Sequence, residues 1–239
     1  GFAVHTSLVV TGIAIDNRAV KEGDLFAALP GTNVHGARFA ADAVDAGAVA
    51  ILTDPDGAAE LKTTVDAGFP IIVTTDVRAA LSRAAALFYG AQPQTMVAVT
   101  GTNGKTSVSN FCRQIWNELE LSAVNIGTTG VEGDWTHPLR HTTPDPITLH
   151  SILAQAAEHG VTHAAMEASS HGLDQRRLEG VSLVAAGFTN FTQDHLDYHH
   201  SFDDYFAAKA RLFEKLLPMD GTAVINTDDP KLGIYASDL

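Results

Sequence analysis

The feature that most constrains the fold of this chain is an eight-residue run, Thr100-Gly101-Thr102-Asn103-Gly104-Lys105-Thr106-Ser107, set between a strand-like segment and a segment of helical period. Met96 to Thr100 reads as the strand. Val108, Phe111, Cys112, Ile115, Trp116 and Leu119 recur at i, i+3, i+4, i+7, i+8 and i+11, which predicts a helix over Lys105 to Leu119 with Cys112 in the core. A Gly-rich turn that leaves a strand and opens a helix aims its backbone N–H groups and the positive helix end at one place, where an anion binds. Lys105 would reach the outer phosphates of a nucleotide, and Thr106 would offer its hydroxyl to Mg²⁺. The first glycine of the common G-x-x-x-x-G-K-T pattern falls on Val99, so the loop is a variant of it. ATP is the ligand it favours over a plain helix-capping turn.

The rest of the chain predicts an α/β fold in two parts. Residues 1–92 read as a small N-terminal α/β domain, with strands at Gly12 to Ile15, Leu25 to Leu29, Val49 to Thr53 and Ile71 to Thr74. Helical faces are carried by Phe39, Ala40, Ala43 and Val44 and by Leu81, Ala84, Ala85 and Phe88. The breakers of Tyr89-Gly90-Ala91-Gln92-Pro93-Gln94 mark a boundary near Pro93. Residues 93–239 then alternate strand and helix, the pattern of a mostly parallel sheet with crossover helices. Its further strands are expected at Ala123 to Ile126, His163 to Glu167, Leu183 to Thr189 and Ala223 to Asn226, with helices at Ile147 to Glu158 and Ser201 to Leu216.

Charge and cysteine usage exclude several classes. With 15 Lys and Arg against 28 Asp and Glu in 239 residues, the net charge of −13 opposes binding to a nucleic-acid backbone or an anionic membrane. The single cysteine excludes an internal disulfide and a Cys-based zinc site. No apolar run approaches the ~20 residues needed to span a bilayer, and no cationic signal peptide opens the chain, so a cytoplasmic protein is expected. The chain opens at Gly1 rather than Met and closes soon after a strand-like segment, as a trimmed piece would.

Thr-Gly-Thr-Asn-Gly-Lys-Thr at residues 100–106 resembles the phosphate loop of the Mur ligases and their folylpolyglutamate synthetase relatives. Further motifs agree: Thr142-Thr143-Pro144-Asp145-Pro146, Glu167-Ala168-Ser169-Ser170-His171-Gly172-Leu173, the run from Asn190 to His199, and Ala208-Lys209-Ala210-Arg211-Leu212-Phe213. Together they resemble the Mur ligases that add the third peptide residue to UDP-MurNAc-L-Ala-D-Glu, over about Gly12 to Asp229. The resemblance implies an ATP-dependent C–N ligase of peptidoglycan precursor synthesis, monomeric, which joins a diamino acid, meso-diaminopimelate or L-lysine, through an acyl phosphate. It implies ATP contacts from Gly101 to Ser107, and two Mg²⁺ ions, one near Thr106 and Glu167 and one near His195 and a carbamate on Lys209. Lys105, Glu167, His195 and Lys209 are thus the expected catalytic set. It also implies a C-terminal domain, outside this sequence, that selects the amino acid, so the chain alone is expected to turn over little.

Lys209 stands out on its own residues as well. On the expected helix the apolar stripe is Phe202, Tyr205, Phe206, Leu212, Phe213 and Leu216, and Lys209 falls in its middle. Burial lowers an amine's pKa, and a neutral amine reacts with CO₂ to give a carbamate; the alternative is a lysine that carries its head out to water along an apolar stem. His195 and His199 would lie i, i+4 on a helix, but no neighbouring Cys or Glu completes a zinc pattern. Ser201 with Asp204 makes a helix N-cap.

On the substrate side, the resemblance implies a uridine site at Ile15, Asn17, Thr32, Asn33 and Val34, where Asn17 replaces the family's usual serine. It implies muramoyl-dipeptide contacts from Thr142, Thr143, Ser169, Gln175 and Arg177. The guanidinium fork of Arg177 suits a carboxylate or phosphate. Asp145-Pro146 also reads simply as a helix start. The alternatives are a ligase that adds the terminal dipeptide, folylpolyglutamate synthetase, and a non-catalytic nucleotide-binding module.

Overall fold

The computed structural model describes residues 8–194 and 198–239. They form two compact units that divide after Phe88.

In the first unit, β1 (Gly12–Ala14), β2 (Asp24–Ala28), β3 (Ala50–Thr53) and β4 (Ile71–Val73) pair in parallel and in chain order. A 3-10 turn over Asn17–Ala19 and helices α1 (Ala40–Asp45) and α2 (Pro55–Leu61) lie in the crossovers that parallel pairing demands, and α3 (Val77–Tyr89) follows β4. The core sets Phe26, Ile51 and Leu61 against Ala28, Ala37, Ala40 and Ala43, whose small side chains let helix and sheet approach closely. Helix α2 carries no periodic signal in the sequence. Its start is local: the Asp54 carboxylate accepts from the Gly57 N–H, and Pro55 occupies the first turn.

The second unit holds a sheet in the order β10-β9-β5-β8-β6-β7, formed by β5 (Thr95–Thr100), β6 (Ala123–Gly127), β7 (Gly130–Gly133), β8 (His163–Glu167), β9 (Leu183–Phe188) and β10 (Thr222–Ile225). Pairing is parallel throughout except between β6 and β7. Around it lie α4 (Lys105–Glu118), α5 (Pro146–Glu158), the short α6 (Ser170–Asp174), α7 (Phe202–Arg211) and α8 (Pro230–Asp238). A core of Met96, Ile126, Leu149, Leu153, Met166, Phe188 and Tyr205 holds sheet and helices together. The expected helix Ser201 to Leu216 is α-helical through Arg211 and widens into a π turn over Leu212–Leu216, with Ser201 as its N-cap accepting from the Asp204 N–H at 3.0 Å. Among the described residues no helix is long and apolar enough to cross a membrane.

One expectation is corrected. The apolar edge of α4 does not form core: Phe111, Ile115 and Leu119 are 58%, 60% and 63% exposed, and Cys112 is half-buried. The helix meets the sheet instead through buried Ser109, through Arg113, whose Nε donates to Asn125 Oδ1 on β6 at 2.7 Å, and through Trp116, whose ring lies tilted against His163 at 5.2 Å between centres. The phosphate loop sets this phase. Lys105 and Thr106 must face the loop's cavity, and residues 109, 112, 113 and 116 follow on the same side.

Candidate active site

Strand register builds the site. β5 is flanked by β8 and β9, with Val99 opposite Glu167 and Thr100 opposite Phe188, so the carboxyl ends of three strands deliver the phosphate loop, Glu167 and Thr189-Asn190 to one rim. Ligands of open parallel sheets bind at that rim. The loop is tied down from β9's side: Thr102 N–H donates to the Asn190 carbonyl, Asn103 N–H to Asn190 Oδ1, and the Thr189 hydroxyl to the Asn103 carbonyl at 2.6 Å. Gly101 holds φ at +144°, and a Cβ there would lie 1.9 Å from Thr189 Oγ1, so only glycine fits.

A cavity of ≈ 240 Å³ opens at this rim, lined by Thr102, Asn103, Gly104, Lys105, Thr106, Thr128, Thr142, Glu167, Ser169, Ser170 and Lys209. Glu167 is 2% exposed, accepts from the Thr128 N–H at 2.9 Å, and has the Thr128 hydroxyl at 3.4 Å. Its remaining lone pairs and the Thr106 hydroxyl on the same wall are oxygen ligands of the kind Mg²⁺ takes. Burial pushes the Lys105 amine below its ordinary pKa, and Glu167 and Asp194 push it back up. Its Nζ donates to the Gly101 and Thr102 carbonyls at 2.9 and 3.0 Å.

Lys209 is 1% exposed, and its Nζ donates to the same Gly101 carbonyl at 2.8 Å and sits 4.7 Å from the centre of the Tyr205 ring. Its head therefore points inward to the loop rather than out to water. Burial first, and then the Lys105 charge, bring its pKa down to about 7, while Asp194 opposes the shift. Two amines on one carbonyl fit an anion that either could reach. The Ser170 hydroxyl, buried on this wall, has no hydrogen-bond partner among the described residues.

The expected residues are thus partly assembled. Thr102 to Thr106, Thr142, Glu167, Ser169 and Lys209 line one cavity; Gly101 lies outside its lining, buried, and Ser107 is exposed outside it. Thr143 does not line it. Its buried hydroxyl donates to the Glu167 carbonyl and accepts from the Ser169 N–H and hydroxyl, a strut that holds the strand end. Arg177 donates to the Thr143 carbonyl and to Gln175 Oε1, and Gln175 donates to the Tyr198 hydroxyl, so these form a chain beside the cavity. His195 lies outside the described residues. His199 is buried among the rings of His171, Tyr198 and Tyr205, and among the described residues no three His, Cys, Asp or Glu side chains gather as a metal cage. Thr128 and Ser170 were not anticipated; the signal for Thr128 was its place directly after a strand, in Gly127-Thr128.

In the first unit a second cavity, ≈ 660 Å³, is lined by Ile15, Asp16, Asn17, Arg18, Phe26, Leu29, Val34, Gly36, Phe39 and Asp42. Ile15, Asn17 and Val34 meet there as expected, while Thr32 and Asn33 sit exposed on the adjoining loop outside the lining. Arg18 forks onto Asp16 at 2.9 and 2.6 Å and holds that carboxyl down to about 2.

Residues 99–238 match the Mur ligase middle domain, and residues 9–89 match the Mur ligase family catalytic domain. This chain belongs to the Mur ligase family. It is 56% identical over 221 residues to the UDP-N-acetylmuramoyl-L-alanyl-D-glutamate–2,6-diaminopimelate ligase of Brucella melitensis, covering 92% of this chain and 44% of that protein. The corresponding Caulobacter vibrioides ligase is 50% identical over 239 residues, covering 97% and 48%. A solved structure of a ligase of the same name superposes with a TM-score of 0.79 at 32% identity over 95% of this chain and 45% of the other. MurF from Acinetobacter baumannii shares the Mur ligase fold at a TM-score of 0.60 and 22% identity, covering 95% of this chain and 46% of its own. The chain spans about half the length of the relatives it matches.

Proposed function

We propose that this Mur ligase chain carries the sugar-nucleotide-binding and ATP-binding parts of a cytoplasmic ligase that adds the third peptide residue, meso-diaminopimelate or L-lysine, to UDP-MurNAc-L-Ala-D-Glu in cell-wall precursor synthesis. In this reading residues 1–92 hold the uridine end, through Ile15, Asn17 and Val34 with Thr32 and Asn33 on the bordering loop. Residues 93–239 hold ATP and the muramoyl peptide. The observation that carries the reading is the cavity that joins the loop of Lys105 to Glu167 and Lys209, in a chain 56% identical to a diaminopimelate ligase.

The chemistry asks for a crowd of anions, a substrate carboxylate beside a triphosphate, to be held together. Residues 101–107 cradle the phosphates with backbone N–H groups, and Lys105 balances charge that moves outward as phosphate passes to the carboxylate. Thr106 with Glu167, and His195 with Lys209, would hold Mg²⁺, which would supply Lewis-acid neutralisation of the phosphoryl oxygens. Thr142, Ser169, Gln175 and Arg177 orient the muramoyl dipeptide, and Thr143 keeps Glu167 and Ser169 in place. The neutral Lys209 amine takes up CO₂, its nitrogen forming the C–N bond and releasing one proton, and so becomes an anion facing the cavity. Inward burial and a pKa near neutrality support that step.

Calorimetric titration with Mg²⁺ and a non-hydrolysable ATP analogue tests the reading. UDP-MurNAc-L-Ala-D-Glu is expected to bind in preference to the corresponding tripeptide and to folates. Binding of the tripeptide form in its place would assign the terminal-dipeptide reaction instead.

A further inference from the structure

The cavity of the first unit has apolar walls, from Ile15, Phe26, Leu29, Val34 and Phe39, and two side-chain groups that face each other on its rim: Asn17 Nδ2 donates to Asp42 Oδ2 at 3.3 Å. A carboxylate only accepts, so it fixes which end of the amide it meets. The NH₂ end of Asn17 is turned to Asp42, and its carbonyl oxygen makes no hydrogen bond among the described residues. Arg18, the one cation of the lining, is engaged by Asp16. Apolar walls with the carboxylates of Asp16 and Asp42 beside them suit a nucleobase rather than a phosphate.

We propose that Asp42 locks the Asn17 amide in the one orientation that reads uracil and rejects cytosine. This rests on the reading of the cavity as the uridine end of the substrate site. With one amide hydrogen given to Asp42, Asn17 keeps an acceptor and a second donor side by side. Uracil offers the matching pair, the N3–H donor beside a carbonyl acceptor. Cytosine offers the reverse, an acceptor at N3 beside an amino donor, and would pair only if the amide flipped. Flipping sets the Asn17 carbonyl against the Asp42 carboxylate, two acceptors with no proton between them. Without Asp42 the amide turns freely and serves either base.

The test is titration of the full chain with UMP and with CMP, for wild type, Asp42→Ala and Asp42→Asn. Asp42 is exposed in the first turn of α1, and melting temperatures should confirm that both variants fold. Wild type is expected to prefer UMP by about tenfold or more, the discrimination one bidentate pair provides. Both variants should bring the ratio to within about twofold of unity, chiefly by gaining affinity for CMP. A wild-type chain that binds both equally, or an Asp42→Ala chain that keeps the wild-type ratio, overturns the lock while leaving a nucleotide site. A wild-type chain that binds neither UMP nor UDP overturns the uridine reading, and the lock with it.

Discussion

Burying Lys209 carries a cost in stability that depends on pH. Its pKa falls from 10.5 to about 7 on folding, so between those values the unfolded chain binds the proton that the folded chain has released. Stability must then rise with pH across that window and flatten above it. Urea melts in CO₂-free buffer from pH 6.5 to 10 should show wild type gaining a few kcal/mol relative to Lys209→Met, at about 1.4 kcal/mol for each pH unit between the two pKa values. A parallel pair of curves would mean that the amine is not desolvated. Gly127 offers a second check at this scale. A Cβ there would lie 2.0 Å from Glu167 Oε1, so Gly127→Ala should displace the carboxylate and weaken Mg²⁺-dependent nucleotide binding about tenfold or more by calorimetry. Lys209 was legible in the sequence because a charge in an apolar stripe is conspicuous. The division of labour between Thr142 and Thr143 was not. Adjacent threonines look alike until the chain's path sends one hydroxyl to the cavity and buries the other against Glu167 and Ser169.

At the scale of elements, the long periodic helices and apolar strands were readable, and what escaped was short or context-set. β7 is four residues with a glycine at each end, specified by pairing against β6, and α6 is one turn started by the Ser169 cap. Neither length carries a period. The departure at α4 has the opposite cause: the period was real, but the phosphate loop turned the helix so that its apolar edge faces outward. Ile115→Glu should therefore leave the urea midpoint within about 0.5 kcal/mol of wild type, as surface substitutions do. A core position would lose several times that. Helix α7, which carries Lys209, is held by Arg211 donating to Glu179, itself 4% exposed beside the His150 contact to its carbonyl. Glu179→Ala leaves that guanidinium without its carboxylate and should cost about 3 kcal/mol in the same assay.

Each of the two cavities described draws its lining from one unit. The first draws its lining from residues 15–42 and the second from residues 102–209, with no residue in common. Coupling between two binding events needs an element whose two states both ligands bias. The breakers before Pro93 and the change of pattern beyond them predict a boundary there, and the compact units divide after Phe88. In this chain the two events should therefore be independent. Lys105→Ala should weaken an ATP analogue by about tenfold or more, the worth of a charge-assisted contact to phosphate, and leave the UMP dissociation constant within about twofold. Saturating the analogue site of the wild-type chain should likewise leave UMP binding unmoved, since coupling is reciprocal. A UMP affinity that falls together with nucleotide binding in Lys105→Ala would show that the two binding events answer to one conformational equilibrium.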